Sequence, residues 1–72
     1  MTRRFEFVAG SSAKFWEVDQ AGAIVTVRFG RLGAQGQTQT KTLVDTTAAQ
    51  RHAEKLIAEK TGKGYREVAL AA

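Results

Sequence analysis

Only one segment of this chain has the periodicity of a helix, and segments of strand-like alternation lie before and after it. Between Ala48 and Lys60, apolar groups recur on one helical face: Ala49, Ala53, Leu56, Ile57 and the stem of Lys60. Asp45-Thr46-Thr47 offers an N-cap oxygen just before Ala48, and Thr61-Gly62 is predicted to end the helix because glycine tolerates the left-handed C′ conformation. Such a helix of about four turns is unstable alone and must pack on a sheet.

The other segments predict an antiparallel sheet. The strongest strand signal is Ala23–Phe29, which is rich in β-branched residues and follows the turn sequence Asp19–Gly22. Trp16 and Val18 share one face of a neighbouring strand, which favours a core position for Trp16. The predicted strands are Phe5–Val8, Lys14–Asp19, Ala23–Phe29, Gln37–Val44 and Tyr65–Leu70. The fold class is therefore α+β, an antiparallel β-sheet of four to five strands with one α-helix packed on one face.

Length and composition restrict the chain to one small domain. Its 72 residues predict a single domain over residues 1–72, with a core so small that a partner chain or a homodimer would add stability. The absence of cysteine excludes disulfides and thiolate metal sites. No apolar run approaches a signal sequence or a membrane span, so we expect a cytoplasmic protein without membrane association.

Positive charge concentrates in the middle of the chain. The net charge is +4, which favours an anionic partner. Cations and acids cancel over residues 1–22 and leave one positive charge over residues 45–72. The other three positive charges are Arg28, Arg31 and Lys41, in a stretch from 23 to 44 that holds no acid. This stretch is the candidate anion-binding segment.

No constellation of residues indicates catalysis. His52 is the only histidine, lies at the margin of the helical apolar face and has no nucleophile or carboxylate at a catalytic spacing. Ser11 and Ser12 belong to a predicted turn with Gly10. The acids are scattered singly among cations, as on a solvated surface. We therefore predict no enzymatic activity, no cofactor and no metal site.

A glycine-rich loop follows the strongest strand. Gly30, Gly33 and Gly36 surround Arg31, and such a loop can bring backbone N–H groups and a guanidinium to a phosphate. The alternative is a tight connection between two strands. The loop lacks the Gly-Lys-Ser/Thr ending of a nucleotide P-loop, and a strand follows it, so nucleotide cradling is disfavoured.

Two further side chains border this loop. Phe29 shares the parity of Val25 and Val27, which favours the core, but Gly30 could equally leave its ring at the strand end for stacking on a sugar or base. Arg28 has the opposite parity and would extend the basic surface on the other face. Lys41 lies among threonines in an acid-free strand, where it could meet phosphate or simply solvate the strand.

Several of these residues together resemble the WGR domain, a family named for its Trp-Gly-Arg tripeptide. The matching features span about residues 5–68: Lys14-Phe15-Trp16, Gly22, Phe29-Gly30-Arg31-Leu32-Gly33, Gly36-Gln37, Lys41, and Glu59-Lys60-Thr61-Gly62 before Tyr65. The resemblance implies an antiparallel sheet with one helix. WGR domains of poly(ADP-ribose) polymerases bind damaged DNA near a strand break, with the motif aromatic on a terminal sugar and the motif arginine on the backbone.

By resemblance, those two roles fall to Phe29 and Arg31. This chain carries phenylalanine in place of the motif tryptophan, which keeps a stacking face but loses the indole N–H. The first hypothesis is therefore a DNA-binding module whose contacts are weak, salt-sensitive and not sequence-specific, made by Phe29, Gly30, Arg31, Gly33, Lys41 and Arg28.

The alternative hypothesis is a protein-interaction or regulatory module. Phe15 and Ile24 have the opposite parity from Trp16 and Val25, so they are predicted to form an apolar patch on the uncovered sheet face. Such a patch would favour a homodimer or another protein partner.

Overall fold

The computed structural model describes residues 2–70 as a five-stranded antiparallel sheet with one helix packed against it. The elements in chain order are β1 (Thr2–Ala9), β2 (Ser12–Ala21), β3 (Ile24–Arg31), β4 (Gln37–Thr42), α1 (Thr46–Gly62) and β5 (Arg66–Val68). The strands lie in the order β4-β3-β2-β1-β5, and every neighbouring pair is antiparallel. The predicted α+β class is confirmed, and Met1, Ala71 and Ala72 of the predicted domain lie outside the described residues.

The first four strands form a meander, and α1 then returns the chain to the other edge of the sheet. Gly10 and Gly22, with φ of 58° and 59°, allow tight turns after β1 and β2. Because Gly10 and Ser11 suffice for the first turn, β2 already begins at Ser12 and is longer than predicted. β4 and β5 are shorter than predicted, since regular pairing ends at Thr42 and covers only Arg66–Val68.

The core lies between α1 and one face of the sheet. Its fully buried members are Phe5, Trp16, Val18, Val25, Ala49 and Ala53. Phe5 and Trp16 are register partners whose ring centroids are 5.6 Å apart. The two alanines let the helix backbone approach these rings closely, because they put no bulky side chain between the layers. The predicted core position of Trp16 is confirmed.

The helix begins at Thr46, two residues earlier than predicted, and it also ends differently. The Asp45 carboxylate accepts a hydrogen bond of 2.8 Å from the backbone N–H of Ala48 and so caps the first turn. Gly62 is still helical, and the left-handed residue is Gly64, with φ of 104°. The prediction that Gly62 supplies the C′ conformation was therefore wrong by one half-turn. Within residues 2–70, no helix is long and apolar enough to span a membrane.

Phe15 lies on the sheet face that α1 does not cover, called the open face below. Nevertheless, only 1% of Phe15 is exposed. The guanidinium carbons of Arg4 and Arg28 lie 4.7 and 4.9 Å from its ring centroid, so two arginines cover the ring as cation–π partners. Ile24 remains 42% exposed. The predicted apolar patch was therefore wrong, because long cationic side chains from the flanking strands shield one of its two members.

The edge of the Phe15 ring also contacts the backbone of the glycine-rich loop. A Cβ built on Gly30 would lie 2.8 Å from the Gly36 Cα, and a Cβ on Gly36 would lie 2.8 Å from the Phe15 Cζ. Gly36 also has φ of 74°. The sequence analysis left open a tight connection between two strands, and this connection accounts for Gly30 and Gly36. Only glycine lets the backbone at these two positions cross above the Phe15 ring.

We expect Gly36→Ala to lower the free energy of unfolding by more than about 2 kcal/mol, because it adds steric overlap to a left-handed backbone. Gly22→Ala is the matched control, since Gly22 is also left-handed but nothing lies within 4 Å of its added Cβ. That control should lose only about 1 kcal/mol. Urea denaturation measures both variants, and equal losses would contradict the close packing on Phe15.

Candidate functional site

An open cleft of about 710 Å³ lies between α1 and the β3–β4 side of the sheet. It forms because α1 packs over β2 and β3 and leaves the edge strand β4 uncovered. Its floor is apolar and its rim is polar. The lining residues are Trp16, Val25, Val27 and Phe29 on the inner strands, Gln39, Thr40 and Lys41 on β4, and His52, Leu56, Glu59 and Lys60 on α1.

Phe29 connects the core to this cleft. It is half-buried, packs against the core cluster and is the register partner of Trp16. The parity prediction that placed Phe29 on the core face is confirmed. Its ring also lines the cleft. Phe29 therefore contacts the core and borders an open surface at the same time.

Arg31 and Lys41 lie on the same face as the cleft. Arg31 ends β3 with the parity of Phe29, is exposed and pairs in register with Lys14 of β2. Lys41 pairs with the buried Val25 and lines the cleft from β4. Between residues 2 and 70, no carboxylate forms an ion pair with Arg31, Lys14 or Lys41. The structure therefore places three cations, two of them predicted, on the face that carries Phe29. Arg31 and Lys14 lie at the Phe29 end of β3, whereas Lys41 lies opposite Val25 near the other end of that strand.

Lys60 adds a fourth cation that sequence reasoning treated only as an apolar stem. Its ammonium lies 5.7 Å from the Trp16 ring centroid and 5.4 Å from that of Tyr65. Burial lowers the pKa of Lys60, and the nearby cations Lys63 and Lys14 lower it further, against the opposing effect of Glu59. Lys63 and Lys14 thus lie close enough to Lys60 for their charges to act on it.

The glycine-rich loop itself is an exposed turn at the end of the cleft face. The backbone N–H of Ala34 donates to the carbonyl of Arg31 at 3.0 Å, and Gly33 has φ of 88° with open space around it. The anion-binding role predicted for Gly30 and Gly33 stays a prediction. Nothing in residues 2–70 blocks access to Gly33, whereas Gly30 is packed against Gly36.

Arg28 is separated from the other predicted binding residues by the sheet. As its parity predicts, it projects from the open face, where it pairs in register with Glu17. Its Nε and Nη2 donate to the two Glu17 carboxylate oxygens at 3.1 Å each, and its Nη1 donates to the Gln35 carbonyl at 2.8 Å. Arg28 therefore supports the glycine-rich loop from the open face. The structure does not bring it together with Phe29 and Lys41.

Glu17 joins the two arginines that cover Phe15. Its carboxylate also accepts a 2.6 Å hydrogen bond from Arg4, which pairs with Glu6 at 3.0 Å. The hydrogen bonds from Arg28 and then Arg4 lower the pKa of Glu17, although its burial opposes them. Among residues 2–70, the open-face cations Arg4 and Arg28 are thus neutralised locally, unlike the cations beside the cleft.

His52 lies at the rim of the cleft and is half-buried, as the rim position predicted for it requires. Sequence reasoning missed the cleft because it is formed by the distance between α1 and β4, which no local pattern encodes. The parity of Lys14 with Trp16 was available in the sequence and could have placed that lysine on the same face as Arg31.

Comparison with known proteins assigns this arrangement to a family. The family model of the WGR domain matches residues 1–71. The chain belongs to the WGR domain family. The resemblance predicted from the sequence is therefore confirmed. This family is known as a nucleic-acid-binding module of non-catalytic type.

Proteins of two bacteria are similar to this chain over most of its length. The chain is 39% identical over 67 residues to the uncharacterized protein YfeS and 42% identical over 67 residues to the protein YehF, both of Escherichia coli strain K12. Each match covers 93% of this chain but only 28% and 24% of those proteins, so the chain spans about a quarter of their length. A crystal structure of a Bacteroides fragilis protein matches with a TM-score of 0.93 at 48% identity, over 96% of this chain and 20% of that one.

The ion pairs of Glu17 with Arg4 and Arg28, which we call the Glu17 cluster, make the fold sensitive to acid. Because the folded state holds the pKa of Glu17 below its unfolded value, the cluster stabilises the fold above about pH 4.3, the usual unfolded value. That stability is lost as the pH falls through the lower, folded-state pKa. We expect Glu17→Gln to lower the free energy of unfolding by about 2 kcal/mol at neutral pH and to flatten its decline in acid.

Glu67→Gln serves as the comparison for this prediction. The Glu67 side chain is 45% exposed and pairs with Arg3, whereas that of Glu17 is 15% exposed. Thermal unfolding followed by circular dichroism across the acid range should show the smaller change for Glu67→Gln. An unaltered acid decline in Glu17→Gln would refute the role of the cluster.

Proposed function

We propose that this WGR domain binds the backbone of DNA with the face that carries the cleft. The observation that supports this most is that three cations, Arg31, Lys14 and Lys41, lie on the same sheet face as Phe29. Within residues 2–70 none of the three forms an ion pair with a carboxylate. Unpaired cations on one surface attract phosphates, and neutralising phosphates releases counterions. The module needs no catalytic group for this function.

In this proposal Arg31 forks onto a phosphate at the end of β3, and the loop amide of Gly33 faces the same backbone, whereas Gly30 shapes the loop from within β3. The Phe29 ring packs against a sugar at the mouth of the cleft. Lys41 and Lys14 contribute field on either side. Contacts with the backbone do not distinguish one base from another, and α1 packs its apolar face on the sheet rather than serving as a recognition helix. We therefore expect no sequence specificity.

Arg28 has a different role in this proposal from the one that its charge predicts. Its guanidinium holds the Gln35 carbonyl and the Glu17 carboxylate and lies over Phe15, on the face opposite to the unpaired cations. We therefore assign it as a positioning residue that fixes the loop after Arg31. A lysine cannot replace it, because an ammonium lacks the planar fork that reaches both partners.

With Lys14, Arg31, Lys41 and Lys60 near the backbone, log-log plots of affinity against salt should have a slope of about −3 to −4. Arg31→Ala should weaken binding and reduce the magnitude of this slope by about 1. Fluorescence anisotropy of a labelled duplex at several salt concentrations measures both quantities. Arg66→Ala is the matched control, because it removes an exposed arginine from the open face at the far edge of the sheet and should change neither.

Arg28→Lys separates positioning from direct contact in the same assay. If Arg28 positions the loop, the lysine variant loses affinity while its salt slope stays that of the wild type. Normal binding by Arg28→Lys would contradict the positioning role and would mean that only the positive charge of Arg28 matters. Absence of any duplex binding at low salt in a folded wild type would refute the proposed function itself.

The protein-interaction alternative depended on an apolar patch of Phe15 and Ile24, of which only Ile24 is exposed. A protein partner or a homodimer stays a prediction without that support. Sedimentation at rising protein concentration tests the homodimer directly.

A further inference from the structure

The cleft is larger and more apolar than contact with a DNA backbone requires. At about 710 Å³ it has the size of a small-molecule site, and Val27, Phe29 and Leu56 give it apolar walls from both layers. A phosphate cannot use such walls, because burying its charge against apolar surface is costly. The cleft therefore fits an occupant with a flat apolar body.

We propose that the cleft accepts one unpaired base from the end of a DNA strand whose backbone lies on Arg31, an inference that rests on the proposed function. An unpaired base has two flat faces that stack on apolar and aromatic side chains. It is already unstacked, so entry into the cleft does not require a base pair to be broken.

The rim of the cleft matches the remaining chemistry of a nucleotide. Gln39 offers both a donor and an acceptor amide group, and His52 offers a further polar group to the edge of a base. Lys41 and Lys60 lie on opposite walls, where the phosphate attached to that base would pass between them. Glu59 is the only carboxylate among the residues that line the cleft, so the charge of the rim favours an anionic ligand.

The position of the cleft connects it with the surface proposed for the backbone. Phe29 lines the cleft and is separated from Arg31 only by Gly30, so both lie at the same end of β3 with one parity. A strand end that runs across Arg31 would therefore bring its last base to the mouth of the cleft. A continuous base-paired duplex has no free base to place there.

The experiment compares three labelled duplexes that differ only at one end: blunt, with a short thymine overhang, and with the same overhang made of abasic sites. The two overhangs carry equal numbers of phosphates, so the ratio of their affinities isolates the base. We expect the thymine overhang to bind about tenfold more tightly than the abasic one, the effect of stacking one base. Equal affinities would overturn the inference.

A second readout locates the base. Trp16 is the only tryptophan of the chain and lines the cleft, so the thymine overhang should change its fluorescence while the abasic overhang should not. Identical spectra for the two overhangs would place the base elsewhere and would also overturn the inference.

Two variants of the edge strand provide a matched pair. Gln39 and Thr38 are adjacent and exposed on β4, but Gln39 pairs with Val27 on the cleft face and Thr38 pairs with Arg28 on the open face. Gln39→Trp should fill the cleft and bring the ratio of thymine to abasic affinities close to one, whereas Thr38→Trp should leave the ratio at the wild-type value. An unchanged or increased ratio in Gln39→Trp contradicts occupation of the cleft.

The blunt duplex separates the two proposals. If it binds and Arg31→Ala weakens it, but the overhangs bind equally, backbone binding stands and base binding fails. If no duplex binds at low salt, both proposals fail together.

Discussion

The contact of two small helical residues with an aromatic floor determines the rest of this structure. Ala49 and Ala53 are buried in one cluster with Phe5 and Trp16, so α1 lies close over the inner strands. A helix placed there is too narrow to cover five strands, since its diameter with side chains is about 10–12 Å and neighbouring strands lie about 4.8 Å apart. The uncovered β4 and the cleft beside it are consequences of this placement.

The same placement gives the two faces of the sheet different electrostatic characters. On the open face Glu17 and Glu6 neutralise Arg4 and Arg28, whose guanidinium groups cover the Phe15 ring. On the other face, Lys14, Arg31 and Lys41 form no ion pair with a carboxylate of residues 2–70. The net positive charge of the chain is thus expressed mainly on one side, although the cations are distributed over several strands.

Local patterns predicted the elements well. Alternation, turn glycines and the Asp45 cap are signals within a few residues, and the structure has a strand or a helix wherever they indicated one. Parity also placed Phe29 and Arg28 on the correct faces. The misses required knowledge of neighbours distant in sequence: Phe15 is buried by Arg4 and Arg28, and the cleft depends on where α1 lies relative to β4. The helix end was misplaced because Gly62 and Gly64 follow in close succession, and the hydrogen bond from the Tyr65 N–H to the Lys60 carbonyl, which the sequence does not reveal, makes Gly64 the C′ residue.

The covering of Phe15 by paired arginines has a consequence for ionic strength. Ion pairs that are partly withdrawn from water are screened far less than exposed charges. The Glu17 side chain is 15% exposed and that of Arg4 is 21% exposed. Raising the salt concentration should therefore release the anionic ligand that we propose from one side of the sheet, while the other side keeps its structure. In this domain dissociation and denaturation respond to different variables, so a bound and a free state can be compared on one intact fold.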